Sequence, residues 1–242
     1  MTAGRLFRAQ DRTATSWRNG GGVTREVAAG PAGAGLDDFA WRVSLADVAA
    51  GGPFSSFPGV DRVITVVEGP GMELTVDGTP HTVAEPYAPF PFSGDAVTEC
   101  RLLGGPLVDF NVMTRRATTT ARVRTEREAF SVAPEEGTEA LVIVLAGTAT
   151  ATTTDASPAT TTDAKGDATA TATAPTDASP AGTADTLAPT DANGDAFVPT
   201  TANGTAGTAL GRYDALLLSG GETGAFRVDG VAAVVTLTPA GT

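Results

Sequence analysis

Three short segments carry most of the side chains able to do chemistry. FAWRVSL spaces Arg42 and Ser44 two residues apart, GVTREV does the same for Thr24 and Glu26, and LVDFNVM for Asp109, Asn111 and Met113. In a strand, residues of like parity share one face. Each segment then pairs a polar face with an apolar one, with Trp41, Val43 and Leu45 opposite Arg42, and Val108, Phe110 and Val112 opposite Asp109. Either the polar faces look into solvent, as in half-exposed antiparallel sheets, or they line the mouth of a small barrel that holds one ligand. An inward guanidinium stays charged and needs an anion, from Glu26, from Asp109 or from a guest. Its fork fits a carboxylate through two parallel hydrogen bonds. The expectation is that Arg42 clamps a ligand carboxylate, with Asn19, Ser44 and Asn111 adding hydrogen bonds. Asp109 would orient Arg42 or accept from a ligand N–H, and Arg62 is a second clamp suited to a dicarboxylate. The structural alternative for Arg42 is an internal ion pair pinning two strands.

Two denser strings flank these segments. Ser16-Trp17-Arg18-Asn19-Gly20-Gly21-Gly22-Val23-Thr24 has three consecutive glycines, which free the backbone for φ > 0 and expose its N–H groups. It reads either as an anion-binding nest or as a tight turn beneath a packed Trp17. No Lys-Ser/Thr comes after it, so it is not a nucleotide-phosphate loop. Gly52-Pro53-Phe54-Ser55-Ser56-Phe57-Pro58-Gly59 sets Phe54 and Phe57 around hydroxyls. That suits an apolar wall for a small organic ligand, or a loop plugging a barrel end. The candidate ligand-binding set is Trp17, Asn19, Gly20, Gly21, Gly22, Thr24, Arg42, Ser44, Phe54, Ser55, Phe57, Arg62, Asp109 and Asn111, with no catalytic residue assigned.

Composition bounds what such a site can be. The 242 residues carry a net charge of −12 with a single cysteine, Cys100, and a single histidine, His81. The acidity argues against a nucleic-acid backbone binder. One Cys and one His exclude a disulfide framework and the usual histidine-rich metal sites within one chain. His81, in TPHT, reads as a surface turn residue. Neither a signal-peptide apolar region nor an apolar run long enough for a membrane span stands out, so a cytoplasmic protein is expected. Residues 151–208 depart from the rest: 33 of these 58 residues are Thr or Ala, with seven Asp against Lys165. Such a stretch has too little apolar surface to offset its ordering entropy, and is expected to be a disordered insert.

The remaining sequence reads as all-β. Runs of five to nine residues rich in Val, Leu and Ile alternate with Gly-Pro, Asp-Gly and Gly-Gly punctuation. Only SLADVAA looks briefly helical. VDRVITVVEGPGMELTVDG resembles TEALVIVLAGTATA joined to the residues just after the insert, and GDAVTECRLLGGPLVDFNV resembles GETGAFRVDGVAAVVTLTP. This weak symmetry predicts two related barrels in tandem, with the insert in a hairpin turn of the second.

SWRNGGGVTREVA, FAWRVSLADV, GGPFSSFPGVDRVITVVEG, FSGD and GGPLVDFNVMTRR, in this order over residues 14–118, resemble the HutD/Ves family. The resemblance implies a bicupin of two RmlC-like jelly-roll barrels. One spans 1–118 and holds the ligand pocket; a degenerate one spans 119–150 plus 209–242; the disordered insert 151–208 lies in the second. Arg18 stands where many relatives carry Lys, and the second half matches only in pattern. The resemblance further implies a regulatory, ligand-sensing role linked to histidine utilisation, with a formylglutamate-like ligand. Laying the metal-cupin pattern with its last Gly on Gly69 puts Arg62 at the Glu position and the His positions near Ser55 and Phe57, residues that cannot serve as metal ligands. The expected protein is thus a metal-free, cofactor-free binder of a small carboxylate metabolite rather than an enzyme, with a homodimer allowed. The alternative is a metal-independent isomerase or lyase acting on a small organic acid, with Glu26 or Asp109 as its base.

Overall fold

The computed structural model describes residues 4–18, 20–155 and 207–241. Asn19 and most of the stretch read as a disordered insert, residues 156–206, lie outside them. Seventeen strands succeed one another along the chain: β1 (Arg5–Phe7), β2 (Ala14–Ser16), β3 (Gly22–Gly30), β4 (Trp41–Val48), β5 (Gly52–Pro53), β6 (Val60–Glu68), β7 (Met72–Val76), β8 (Thr79–Val83) and β9 (Phe90–Ser93). Then come β10 (Thr98–Leu102), β11 (Leu107–Arg115), β12 (Thr119–Glu126), β13 (Ala129–Val132), β14 (Glu139–Asp155), β15 (Thr208–Leu210), β16 (Ala215–Ser219) and β17 (Glu222–Pro239). The helical element among the described residues is a single 3₁₀ turn at Ala9–Asp11.

A six-stranded sheet, in the order β2-β3-β4-β11-β6-β9, and a four-stranded one, β5-β10-β7-β8, form the first cup. A seven-stranded sheet, β1-β16-β14-β17-β12 with β13 on β17 and β15 on β14, forms the second. The internal symmetry is visible in the pairing. β6 pairs with β11 and β7 with β10, as two separate ladders. In the second half, one ladder between β14 and β17 runs the whole distance from Glu139 to Asp155. Both strands bend where Gly147 (φ +73°) meets Gly230 (φ +133°). A Cβ on Gly147 would strike the Asp229 carbonyl oxygen, so the two backbones can cross this closely only without a side chain there.

Four apolar clusters occur among the described residues, a small one of Phe39, Val60 and Met113 and three that fill these layers. One lies inside the first cup, around Ile64, Val66, Met72, Leu74 and Phe92. Another lies inside the second, around Val142, Val144, Leu216, Leu218 and Val234. The third joins the outer face of the six-stranded sheet (Trp41, Val43, Leu45, Phe110, Val112) to Leu141, Ile143, Val235 and Leu237. β14 and β17 are therefore buried on both faces, which is why ALVIVLA and VAAVVTL are continuous apolar runs rather than alternating ones. Trp41 Nε1 donates to Glu139 Oε2 at 2.9 Å across this interface, satisfying its one polar atom.

Four readings from the sequence change. SLADVAA lies mostly within β4: its hydrophobic residues serve two buried faces of a strand, a pattern that local spacing cannot separate from a helix. β1, at the amino terminus, pairs with β16, so residues 5–7 belong to the second sheet and not to a first barrel of 1–118. β14 continues through Ala151–Asp155, which pair with Phe226–Glu222, and Thr208 opens β15. The regular structure thus reaches past the expected boundaries 151 and 208, because Thr alternation pairs well once a partner strand is supplied. β14 and β15 are antiparallel partners, so the chain between 155 and 207 connects two paired strands. His81 lies on β8 opposite Leu74, not in a turn, its ring 5.1 Å from that of Phe90.

Candidate functional site

The register of the six-stranded sheet lines up polar residues on the face that looks into the first cup. Met113 of β11 stands opposite Arg42 of β4 on one side and Arg62 of β6 on the other. One row along, Asn111 stands between Ser44 and Ile64, and beyond it Asp109 stands between Ala46 and Val66. The alternative parity (Phe110, Val112, Val43, Leu45) is consumed by the core between the cups. Ser44 of β4 and Asp109 and Asn111 of β11 therefore line the cup, whereas Glu26 of β3 is exposed. Ser44, Arg62, Asp109 and Asn111 are all buried, at 3%, 7%, 2% and 8% exposure.

Three of these four side chains are buried with a polar atom left unpartnered among the described residues. Arg62 Nε, Asp109 Oδ1 and Asn111 Oδ1 are each shielded from solvent with no hydrogen-bond partner among the described residues. Neither Arg62 nor Asp109 belongs to an ion pair there. Buried polar groups in folded proteins are nearly always paired, and each exception calls for a reason. Arg62 is instead held by three rings, with its guanidinium carbon 5.1 Å from the centroid of Phe54, 5.7 Å from Phe57 and 4.9 Å from Phe92. Cation–π attraction offsets part of the desolvation of a guanidinium, but it leaves the in-plane N–H donors free.

The local chain explains the cage. β5 pins the GPFSSF loop to β10. Phe54 N–H then donates to Thr98 O at 2.8 Å, and Phe57 N–H to Gly94 O at 2.8 Å. On the far side of the loop, Gly59 N–H donates to Asp95 at 2.8 Å, and Arg116 bridges Asp61 and Asp95 at 2.8 Å each. Ser55 is exposed; the loop contributes its two phenyl rings to Arg62 rather than its hydroxyls.

The charges in the cup press on one another. Burial pushes the Asp109 carboxyl up to about 7; Arg62 pulls it back down and the Asp47 carboxylate adds to the rise. Burial likewise lowers Arg62 to about 10, with Asp109 opposing the shift and Arg42 reinforcing it. The Cys100 thiol, on β10 across the cup, is pushed up to about 11 by burial and by Asp109. It is a packed, protonated thiol, not a nucleophile.

Arg42 differs from Arg62. Its Nε donates to Glu26 Oε2 at 2.8 Å, so of the anions open to it the protein supplies Glu26. A bulge at Val27 brings this about, shifting the β3–β4 register between Glu26 and Ala28 so that Val27 and Ala28 both enter the core between the cups. The glycine string takes the turn form: Trp17 N–H donates to Gly22 O at 2.9 Å, Gly20 N–H to Trp17 O at 3.0 Å, and Trp17 Nε1 to Thr24 Oγ1 at 2.7 Å. Gly22 is needed there, since a Cβ would sit 2.5 Å from Asp47 O and 3.0 Å from the Trp17 ring. Arg25, which sequence reasoning passed over, is ion-paired to Asp47. Of the expected set, Arg62, Asp109, Asn111, Ser44, Phe54 and Phe57 converge in the cup. Arg42 flanks them, Trp17, Thr24 and the glycines close one rim, and Ser55 stands outside. Among the described residues no three His, Cys, Asp or Glu side chains converge as metal ligands would.

A family model described as HutD matches residues 9–189. The chain belongs to the HutD family. An uncharacterized 21.2 kDa protein in the hutC 3′ region of Pseudomonas putida is 47% identical over 113 residues, 47% of this chain and 59% of that protein. The chain thus spans less than two thirds of that relative's length. Protein Ves of Citrobacter koseri is 41% identical over 133 residues, 54% of this chain and 67% of that one. Among solved structures, HutD from Pseudomonas fluorescens SBW25, described as a formate condition, superposes with a TM-score of 0.67 at 28% identity, covering 98% of this chain and 99% of that one. A conserved protein of unknown function from Pseudomonas aeruginosa PAO1 gives 0.66 at 23% identity over 98% of both chains, which speaks to the fold alone. The HutD fold is the tandem, cupin-like jelly roll described above. Among the described residues no helix is long and apolar enough to cross a membrane.

Proposed function

We propose that the first cup binds a small carboxylate metabolite, and that binding serves a sensing role linked to histidine utilisation rather than catalysis. The observation carrying this reading is the buried Arg62, whose Nε–H has no partner among the described residues although the guanidinium is desolvated and ringed by phenyl groups. A guest carboxylate would supply the missing acceptors in the bidentate geometry that guanidinium favours. Asn111 and Asp109, on the same face, would meet a second polar group of the guest. This division of labour suits an acid with a carbonyl or amide beside its carboxylate, a formylglutamate-like molecule. The relative solved in a formate condition and the one named for the hutC region are consistent with this reading. Calorimetric titration of the full chain with formate, L-glutamate and N-formyl-L-glutamate is expected to give saturable binding to at least one acid and none to the matching neutral amide. Equal binding of acid and amide, or no binding at all, would refute the assignment.

A specific observation also favours a second reading. A carboxyl that exchanges its proton near neutral pH is what a general base needs, and burial places Asp109 there. A metal-independent isomerase or lyase using Asp109 would exchange a carbon-bound ligand proton with deuterated solvent; a pure binder leaves that proton in place.

A further inference from the structure

Outside the cup, the amino-terminal segment and β3 enclose a cleft of about 570 Å³. Its walls carry four arginines, Arg5, Arg8, Arg12 and Arg42, against two carboxylates, Asp11 and Glu26. The contrast with the molecule's net charge of −12 is sharp. None of Arg62, Asp109 and Asn111 lines it; Arg42, at the wall between, is engaged by Glu26. Arg8 is likewise engaged, its Nη1 2.7 Å from Asp214 Oδ2. Two guanidiniums are left over. Arg5 rests 4.7 Å from the Phe7 ring centroid and forms no ion pair among those of the described residues. Arg12 reaches the Phe7 carbonyl through Nη2 at 3.5 Å, yet its Nε–H is shielded from solvent without a partner among the described residues. Burial lowers the Arg12 pKa, which the nearby Asp214 only partly offsets. Leu6, 37% exposed, adds apolar surface beside them.

From this geometry we infer a second, separate site, in which Arg5 and Arg12 take a small anion of phosphate type. Arg12 Nε–H and the Arg5 fork supply charge-assisted donors. The cleft falls within the range of small-molecule sites, about 300–1,000 Å³. The two arginines line the same cleft, where a single guest would meet both. The site does not depend on the reading of the cup.

Titration of the full chain with pyrophosphate, which carries no carboxylate for the cup, tests it. Saturable binding of pyrophosphate is expected to survive Arg62→Met, which removes only the cup's cation. It should weaken at least about tenfold in Arg12→Ala and again in the Arg5→Ala, Arg12→Ala pair, each lost fork removing charge-assisted bonds. Arg12→Lys keeps the charge but not the fork and should fall between. It also serves if Arg12→Ala fails to fold, as judged by its thermal transition. Absence of pyrophosphate binding, binding unchanged in the Arg5 and Arg12 variants, or its loss in Arg62→Met would overturn the proposal. Failure of the cup reading would instead show as carboxylate titrations insensitive to Arg62.

Discussion

Arg62→Met is expected to abolish carboxylate binding while making the unliganded protein more stable. The two effects have one cause. A desolvated guanidinium without an acceptor carries an uncompensated burial cost, and replacing a buried charge by an apolar side chain of similar volume is often stabilising, by about 1–4 kcal/mol. Methionine fills the ring cage of Phe54, Phe57 and Phe92 with a thioether that packs well on aromatics. The ligand, however, loses a bidentate charge-assisted contact; at about 1.5–3 kcal/mol per bond this is roughly a 100-fold or larger loss of affinity. A rise in thermal midpoint together with lost calorimetric binding meets the expectation. A fall in midpoint would make Arg62 a structural residue, and retained affinity would make it irrelevant to the guest.

The unliganded protein should also lose stability as pH rises from about 4 to about 7. Unfolded, Asp109 titrates near its ordinary 3.8; in the cup it holds its proton up to about 7. Between these values the folded state binds the extra proton, so unfolding becomes easier with each unit of pH. The full shift corresponds to on the order of 4 kcal/mol, present below the lower value and gone above the upper one. Asp109→Asn cannot lose a proton, so its denaturation free energy should lie flat over this window and exceed that of the parent at pH 8. Asp95 works in the opposite sense: its backbone bond from Gly59 and its bonds from Arg116 and Ser93 hold it down to about 2. Its stabilisation fades only as pH falls below about 4, so the two windows do not overlap. A parent whose stability is level from pH 4 to 7 would contradict the burial assigned to Asp109.

These two residues also show how far the sequence could be read. Asp109 and Asn111 were legible because alternation in LVDFNVM survives intact in β11, a central strand with a partner on each side. The tandem arrangement was legible from the resemblance of VDRVITVVEGPGMELTVDG to TEALVIVLAGTATA. The pairing of Arg42 with Glu26 was one of the options open, and choosing among them required the bulge at Val27, which reverses parity without a local signature. Arg62 was secondary in the sequence because nothing local shows that three phenylalanines from a loop and another strand will enclose it, or that no carboxylate will accompany it inward. The crossing of β1 to β16 was invisible for the same reason: three residues pair with a strand more than two hundred positions away, and short segments do not encode their partner. Arg25 escaped notice because its half-buried position on β3 looked like an ordinary solvated face until Asp47 met it.

Native mass spectrometry of the full chain beside Arg62→Met, both purified without added acid and then incubated with N-formyl-L-glutamate, tests most directly whether this guanidinium is the anion's seat. The account requires a one-to-one acid adduct on the parent that disappears in the variant while the charge-state distribution stays that of a folded protein. An adduct of equal abundance on both proteins would contradict it.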